Sequence, residues 1–135
     1  AEDGFGQGRD LVTPFGMALA AATVAHGETP VPELISGRPT HVDGADTPIS
    51  PAMVDGLRRM MRQVVTAGTG SRIADQGEVY GKTGEAEFEG GSHAWFAGYR
   101  GDVAFASLIV DGGSSDNAVA IAREMFKALP DGYMA

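Results

Sequence analysis

The chain has no cysteine, which removes disulfides, thiolate nucleophiles and thiolate metal ligands together. Positive charge is scarce: ten basic side chains stand against 18 acidic ones, a formal charge of -8 at pH 7. A phosphate backbone would meet a mostly repelling surface, so nucleic acid is excluded as a partner. No run of about 18 apolar residues could cross a bilayer. An initiator methionine and a basic-then-apolar leader are both missing ahead of Ala1-Glu2-Asp3, which reads as a processed, excised or recombinant segment. His26, His41 and His93 lie far apart and lack acidic partners at ligand spacing, so no metal is expected.

What remains is 135 residues, 43% of them hydrophobic, enough for one domain with its own core. Residues 4–10 carry three glycines and read as loop. Thr13 before Pro14 predicts a helix start and Gly27 its stop, over residues 14–26. That helix is apolar nearly all round and rich in small side chains, which predicts a buried, closely packed element. Pro30, Pro32, Pro39 and Pro48 mark residues 28–48 as loop, with at most a short extended stretch over 31–35.

Ser50 and Pro51 open a second helix that ends before Gly68. Met53, Leu57, Met60 and Val64 share one face, widened by Val54, Met61 and Val65, while Arg58, Arg59 and Arg62 read as solvated surface. A polar turn at residues 75–77 leads into strands. Residues 79–83 are the first. Residues 93–100 are the second, with His93, Trp95, Ala97 and Tyr99 on one side and Ala94, Phe96, Gly98 and Arg100 on the other. Residues 103–110 are apolar on both sides apart from Ser107, which predicts a central strand. A final helix over 115–129, capped by Ser114 or Ser115 and stopped by Pro130, presents Ala118, Ile121, Ala122, Met125, Phe126 and Leu129 to the core. The fold class is therefore α+β, a mainly antiparallel sheet covered by helices.

Gly81-Lys82-Thr83 invites a phosphate-loop reading, but that pattern needs glycine at position 76, which is Gln76. Glu85, Glu87 and Glu89 follow, and their carboxylates would repel phosphate. Those alternating acids read as exposed strand positions rather than an acid-base pair.

The ordered set of blocks resembles the transpeptidase domain of class B penicillin-binding proteins. It comprises Phe5-Gly6-Gln7-Gly8, the helix start from Leu11 to Ala18, Gly68-Thr69-Gly70, Gly81-Lys82-Thr83-Gly84-Glu85-Ala86-Glu87 and His93-Ala94-Trp95-Phe96-Ala97-Gly98-Tyr99. The last two blocks are most similar to actinobacterial penicillin-binding lipoproteins. The resemblance implies a serine β-lactamase/transpeptidase-like fold. It further implies that Lys82 supplies a cation and hydrogen-bond donor, that Thr83 helps bind a substrate carboxylate, and that Gly84 leaves room for a ligand against the strand. The backbone N–H of Glu85 would be an oxyanion-hole donor. The Glu85 side chain departs from the family's usual threonine. Peptidoglycan stem peptides and β-lactams are the implied partners, no cofactor is implied, and the implied location is the extracytoplasmic face of a bacterial membrane.

The family's serine-x-x-lysine pair is missing: the residues three positions after each serine are Pro39, Met53, Ala74, Trp95, Val110, Asn117 and Ala118. Ser115-Asp116-Asn117 spells the family's second motif, but it follows the lysine strand instead of preceding it, so Ser115 is expected to cap a helix. The resemblance thus implies a C-terminal part of the domain, with the serine on upstream chain or on a complementary one. A related carboxypeptidase or β-lactam hydrolase, and a non-catalytic structural or β-lactam-sensing module, are the alternatives.

Overall fold

The computed structural model describes Gln7, residues 10–38, Thr40, His41, residues 48–130, Gly132 and Tyr133. Most of the expected glycine-rich loop, including Phe5, Gly6 and Gly8, lies outside the described residues. The element order is α1 (Pro14–His26), α2 (Pro51–Ala67), a 3-10 helix (Ser71–Gln76), β1 (Tyr80–Phe88), β2 (Gly91–Arg100), β3 (Val103–Ile109) and α3 (Ser115–Ala128). The strands pair antiparallel in the order β1-β2-β3, giving the α+β arrangement that the sequence predicts.

The helix ends obey local chemistry. Thr13 accepts from the Gly16 amide and Ser50 from the Met53 amide, each followed by proline at the first helical position, where a missing N–H costs nothing. Gly27 turns left-handed at φ 88° and returns its N–H to the Thr23 carbonyl. Ser114 caps α3 by accepting from Asp116 N, so Ser115 is the first helical residue and not the cap.

One face of the sheet packs on α3. Ala94, Phe96 and Phe105 join Val119, Ala122 and Phe126 in the core, with the Phe105 and Phe126 rings edge to face at 5.2 Å. Val65 of α2, Ile73 of the 3-10 helix and Val79 close the same cluster. The other face carries the buried Ala97 and Tyr99, where α1 packs across β2 and β3.

Several expectations are corrected here. The central strand is β2, not β3, which has a single strand partner among the described residues. The apolar run of β3 reflects two faces covered by helices; it does not require a strand on each side. Helix α1 is not wholly buried: Ala21 and Thr23 are, whereas Phe15 is 52% exposed. Its composition has no polar face with which to mark a solvent side, so the sequence alone reads it as core. In α2 Val54 and Val65 are buried and Leu57, Met61 and Val64 half-buried, with Met53 and Met60 exposed.

That rotation brings two arginines inward. Arg58 donates to the carbonyls of Val24 and Ala25 at 3.0 and 2.6 Å, ending α1, and Arg62 donates to the Val79 carbonyl at 2.8 Å while lying over the Tyr80 ring. They are half-buried clamps rather than fully solvated charges, whereas Arg59 is exposed as expected. The turn before the strands is a 3-10 helix whose Ile73 is fully buried. His93 is structural, as its Nδ1 accepts from Asp111 N at 2.9 Å and its ring lies against Phe88.

Candidate active site

Strand β1 occupies one edge of the sheet, so one margin of it faces β2 and the other has no strand partner among the described residues. The hairpin fixes which peptide groups face which way. Phe88 and Gly91 close a two-residue turn whose Gly90 sits at φ 100°, a conformation open to glycine. Residues opposed across an antiparallel pair exchange both backbone bonds or neither, in alternation. Counting back from the closing pair, Ala86, Gly84 and Lys82 turn their peptide groups to β2, whereas Glu85 and Thr83 turn theirs outward. Two side chains report the same geometry. Gln7 Nε2 donates to the Glu85 carbonyl at 2.8 Å, and Lys82 Nζ donates to the Thr83 carbonyl at 2.5 Å. The Glu85 N–H, which shares the direction of its carbonyl, faces the outer margin.

The four residues singled out by the sequence are therefore adjacent, but not equivalent. Lys82 is exposed, and its ammonium lies at the outer margin beside the Thr83 carbonyl. Thr83 is buried, with 6% of its surface exposed, and its hydroxyl lies 2.6 Å from that of Thr69. Gly84 is half-buried. The Glu85 side chain leaves the margin altogether: its Oε1 accepts from Ser115 N at 2.9 Å, at the start of α3. A carboxylate at a helix N-terminus satisfies an orphan amide and lies at the positive end of the helix dipole. The departure from threonine at this position thus has a structural use on the α3 side of the sheet.

The glycines of the hairpin separate into two kinds. A Cβ on Gly81 would lie 2.5 Å from the Phe96 ring, and one on Gly98 would run into the Tyr80 carbonyl. These glycines are required by the protein's own packing. A Cβ on Gly84 would meet only Trp95 Cβ at 3.4 Å, ordinary contact. Nothing inside the described structure demands glycine there.

Two participants were quoted in the sequence without a role. Gln7 reaches β1 from the far end of the chain, and no local signal foretells a contact across 78 residues. Thr69 had a readable signal. Gly68 and Gly70 bracket it at the end of α2, where a Cβ on either would press on Val64. A residue between two glycines packed this tightly against Val64 is held in place by them. Among the described residues no group of His, Asp or Glu is arranged to hold a metal ion, and no helix is long and apolar enough to cross a membrane.

Comparison with known proteins bears on the family and the fold. The chain matches PBP2 of Pseudomonas aeruginosa, crystallised in complex with WCK 5153, at 26% identity and a TM-score of 0.72 over 97% of its length. It also matches the D,D-transpeptidase domain of a peptidoglycan glycosyltransferase from Eggerthella lenta at 31% identity and a TM-score of 0.51 over 61% of its length. It spans 32% and 23% of those two chains. No curated protein is similar in sequence. The family of penicillin binding protein transpeptidase domains matches residues 2–131, nearly end to end, and this chain belongs to it.

Proposed function

We propose that this chain is the C-terminal portion of the transpeptidase domain of a class B penicillin-binding protein, and that it supplies the wall of the active site facing the catalytic serine. In this reading the serine and its lysine base belong to polypeptide upstream of Ala1 or to a complementary chain. The enzyme acts on peptidoglycan stem peptides at the extracytoplasmic face of the bacterial membrane, and β-lactams acylate the same serine.

The observation that carries the reading is the outer margin of β1. It presents the outward Glu85 N–H, the Lys82 ammonium and the Thr83 residue within four consecutive positions, on a strand edge with no strand partner among the described residues. An extended acyl donor can lie along such an edge. Serine attack on the carbonyl carbon forms a C–O bond and places negative charge on the carbonyl oxygen, which the Glu85 N–H and the serine's own N–H stabilise. Collapse expels the terminal D-amino acid with a proton delivered to its nitrogen. The acyl group then passes to an amine of a neighbouring stem peptide. Lys82 provides the positive potential for the carboxylate of the incoming peptide, and Thr83 contributes to binding it. Gly84 keeps the approach low. The half-exposed α1 is accounted for in the same terms, since the serine-bearing part would supply the remaining cover.

The test is intact-mass measurement after incubation with a penicillin, on the full-length parent, its Lys82→Ala variant and this chain alone. The parent gains one acyl adduct, the isolated chain gains none, and Lys82→Ala slows acylation by about 10²-fold, in the range seen on removing one transition-state contact. A parent that gains no adduct overturns the reading; a Lys82→Ala rate equal to that of the parent overturns the role given to Lys82.

A further inference from the structure

Thr83 is the least exposed of the residues on the outer margin, yet its hydroxyl is not spent on the backbone. It meets the hydroxyl of Thr69 at 2.6 Å, a normal O–H···O length. Each hydroxyl owns one proton and can accept. The contact between them consumes one of the two protons, and the other is left for a third group. Which oxygen keeps it decides the chemistry of the site.

If Thr83 donates to Thr69, the nearly buried Thr83 oxygen shows lone pairs to the margin, and the remaining proton sits on the exposed Thr69. If Thr69 donates, the Thr83 proton turns to the margin. An ionised carboxylate only accepts, so it selects the second arrangement. Thr69 is built to serve it. Gly70 N donates to the Val64 carbonyl at 2.9 Å, folding the chain back at the end of α2, and Gly68 and Gly70 both lie too close to Val64 for a side chain to fit without displacement. The backbone around Thr69 is thereby pinned, and its side chain is directed at β1.

We propose that Thr69 is a positioning residue for anion recognition: by donating to Thr83 Oγ1 it turns the Thr83 proton toward the carboxylate of a ligand lying along β1. This rests on the reading of β1 as the substrate-binding edge and adds to it a residue from outside the strand. Thr69 itself need not touch the ligand.

The experiment measures second-order acylation rates of the full-length parent with a penicillin and with the methyl ester of the same penicillin. Thr69→Val, which keeps the shape and removes the hydroxyl, lowers the rate with the free carboxylate about fivefold, the scale of the one neutral hydrogen bond that orients the Thr83 hydroxyl, and changes the ester rate less than twofold. Thr69→Ser restores the carboxylate rate and Thr69→Ala does not. That second pair differs only in the hydroxyl, so it decides the matter even if the valine variant folds poorly. In a Thr83→Val background, removing the Thr69 hydroxyl has no further effect. Equal losses on both ligands, or no loss on either, overturn the proposal. A full loss that persists in the Thr83→Val background also overturns it, because Thr69 then touches the ligand directly. Absence of any adduct on the unaltered parent would instead remove the underlying reading of the site, so the two failures are distinct.

Discussion

The two margins of β1 are built from the same stretch of sequence and obey different rules. The inner margin is crowded. Gly81 abuts Phe96, Gly98 abuts the Tyr80 carbonyl, and the Tyr80 and Tyr99 rings stack at 4.7 Å across the pair. Each residue there is explained by what it touches within the protein. Further along the strand Lys82 bonds no nearer partner than the adjacent peptide and Gly84 has room for a methyl group, and on the outer margin the peptide groups of Thr83 and Glu85 turn away from the sheet. Internal contacts do not fix the identity of these residues, which leaves them free to serve a ligand as proposed above. The contrast is the physical ground, independent of any motif, for proposing this edge as the one that binds substrate.

The comparison can be broken most forcefully from the inside. Gly98→Ala drives a methyl group into a neighbouring carbonyl, and overpacking against backbone costs about 3 kcal/mol. Denaturant unfolding of the intact domain should show that loss, with activity falling only as the folded fraction falls. Gly84→Ala should do the opposite. Its effect on unfolding should stay within about 1 kcal/mol, and a small gain from reduced unfolded-state freedom is in range. Penicillin acylation should nevertheless slow about tenfold, or roughly 1.4 kcal/mol of barrier. Unchanged acylation would mean that no ligand passes over Gly84.

The smallest expected effect lies well away from the edge. Arg123 Nε donates to Asp75 Oδ1 at 2.9 Å, and Arg123 Nη2 also pairs with Asp75, tying α3 to the 3-10 helix. That guanidinium holds the Asp75 carboxyl at about 2, below its ordinary value of 3.8. A group whose pKa is depressed on folding contributes stability above its unfolded value and loses it as pH falls toward the folded one. The unfolding midpoints of the parent and of Asp75→Asn should differ above pH 4 and converge as the pH approaches 2. The pair is exposed, so the difference should be slight. An equal difference at all pH values would show that the carboxylate charge is not what matters.

Much of the fold was legible because its signals are local. Thr13-Pro14, Ser50-Pro51 and Gly27 announce helix ends by backbone chemistry alone, and the alternation over 93–100 assigns both faces of β2 correctly. What the sequence misplaced depends on neighbours. The strand order that makes β2 central, the half-exposure of α1 and the inward turn of Arg58 and Arg62 are all settled by which surfaces meet. A charged side chain that buries its stem and bonds a carbonyl looks, in sequence, the same as one in water.

The site divides along the same line. Lys82, Thr83, Gly84 and Glu85 are legible as a candidate site because they are contiguous. The docking of the Glu85 carboxylate on α3, and the meeting of Thr69 with Thr83, join segments 30 and 14 residues apart. Only the folded chain brings those together.

The two-residue link at Glu89-Gly90 has a consequence for how this hairpin can vary. Because it closes the ladder at Phe88 and Gly91, it also sets the odd-even count that sends Thr83 and Glu85 outward. Lengthening the link by two residues would preserve that count. Adding one would exchange alternate positions, turning the Thr83 and Glu85 amides inward and those of Lys82 and Gly84 out, unless a bulge absorbed the extra residue. The far end of the hairpin thus acts as a ruler for the near end, and its tolerance for insertion should run in even steps.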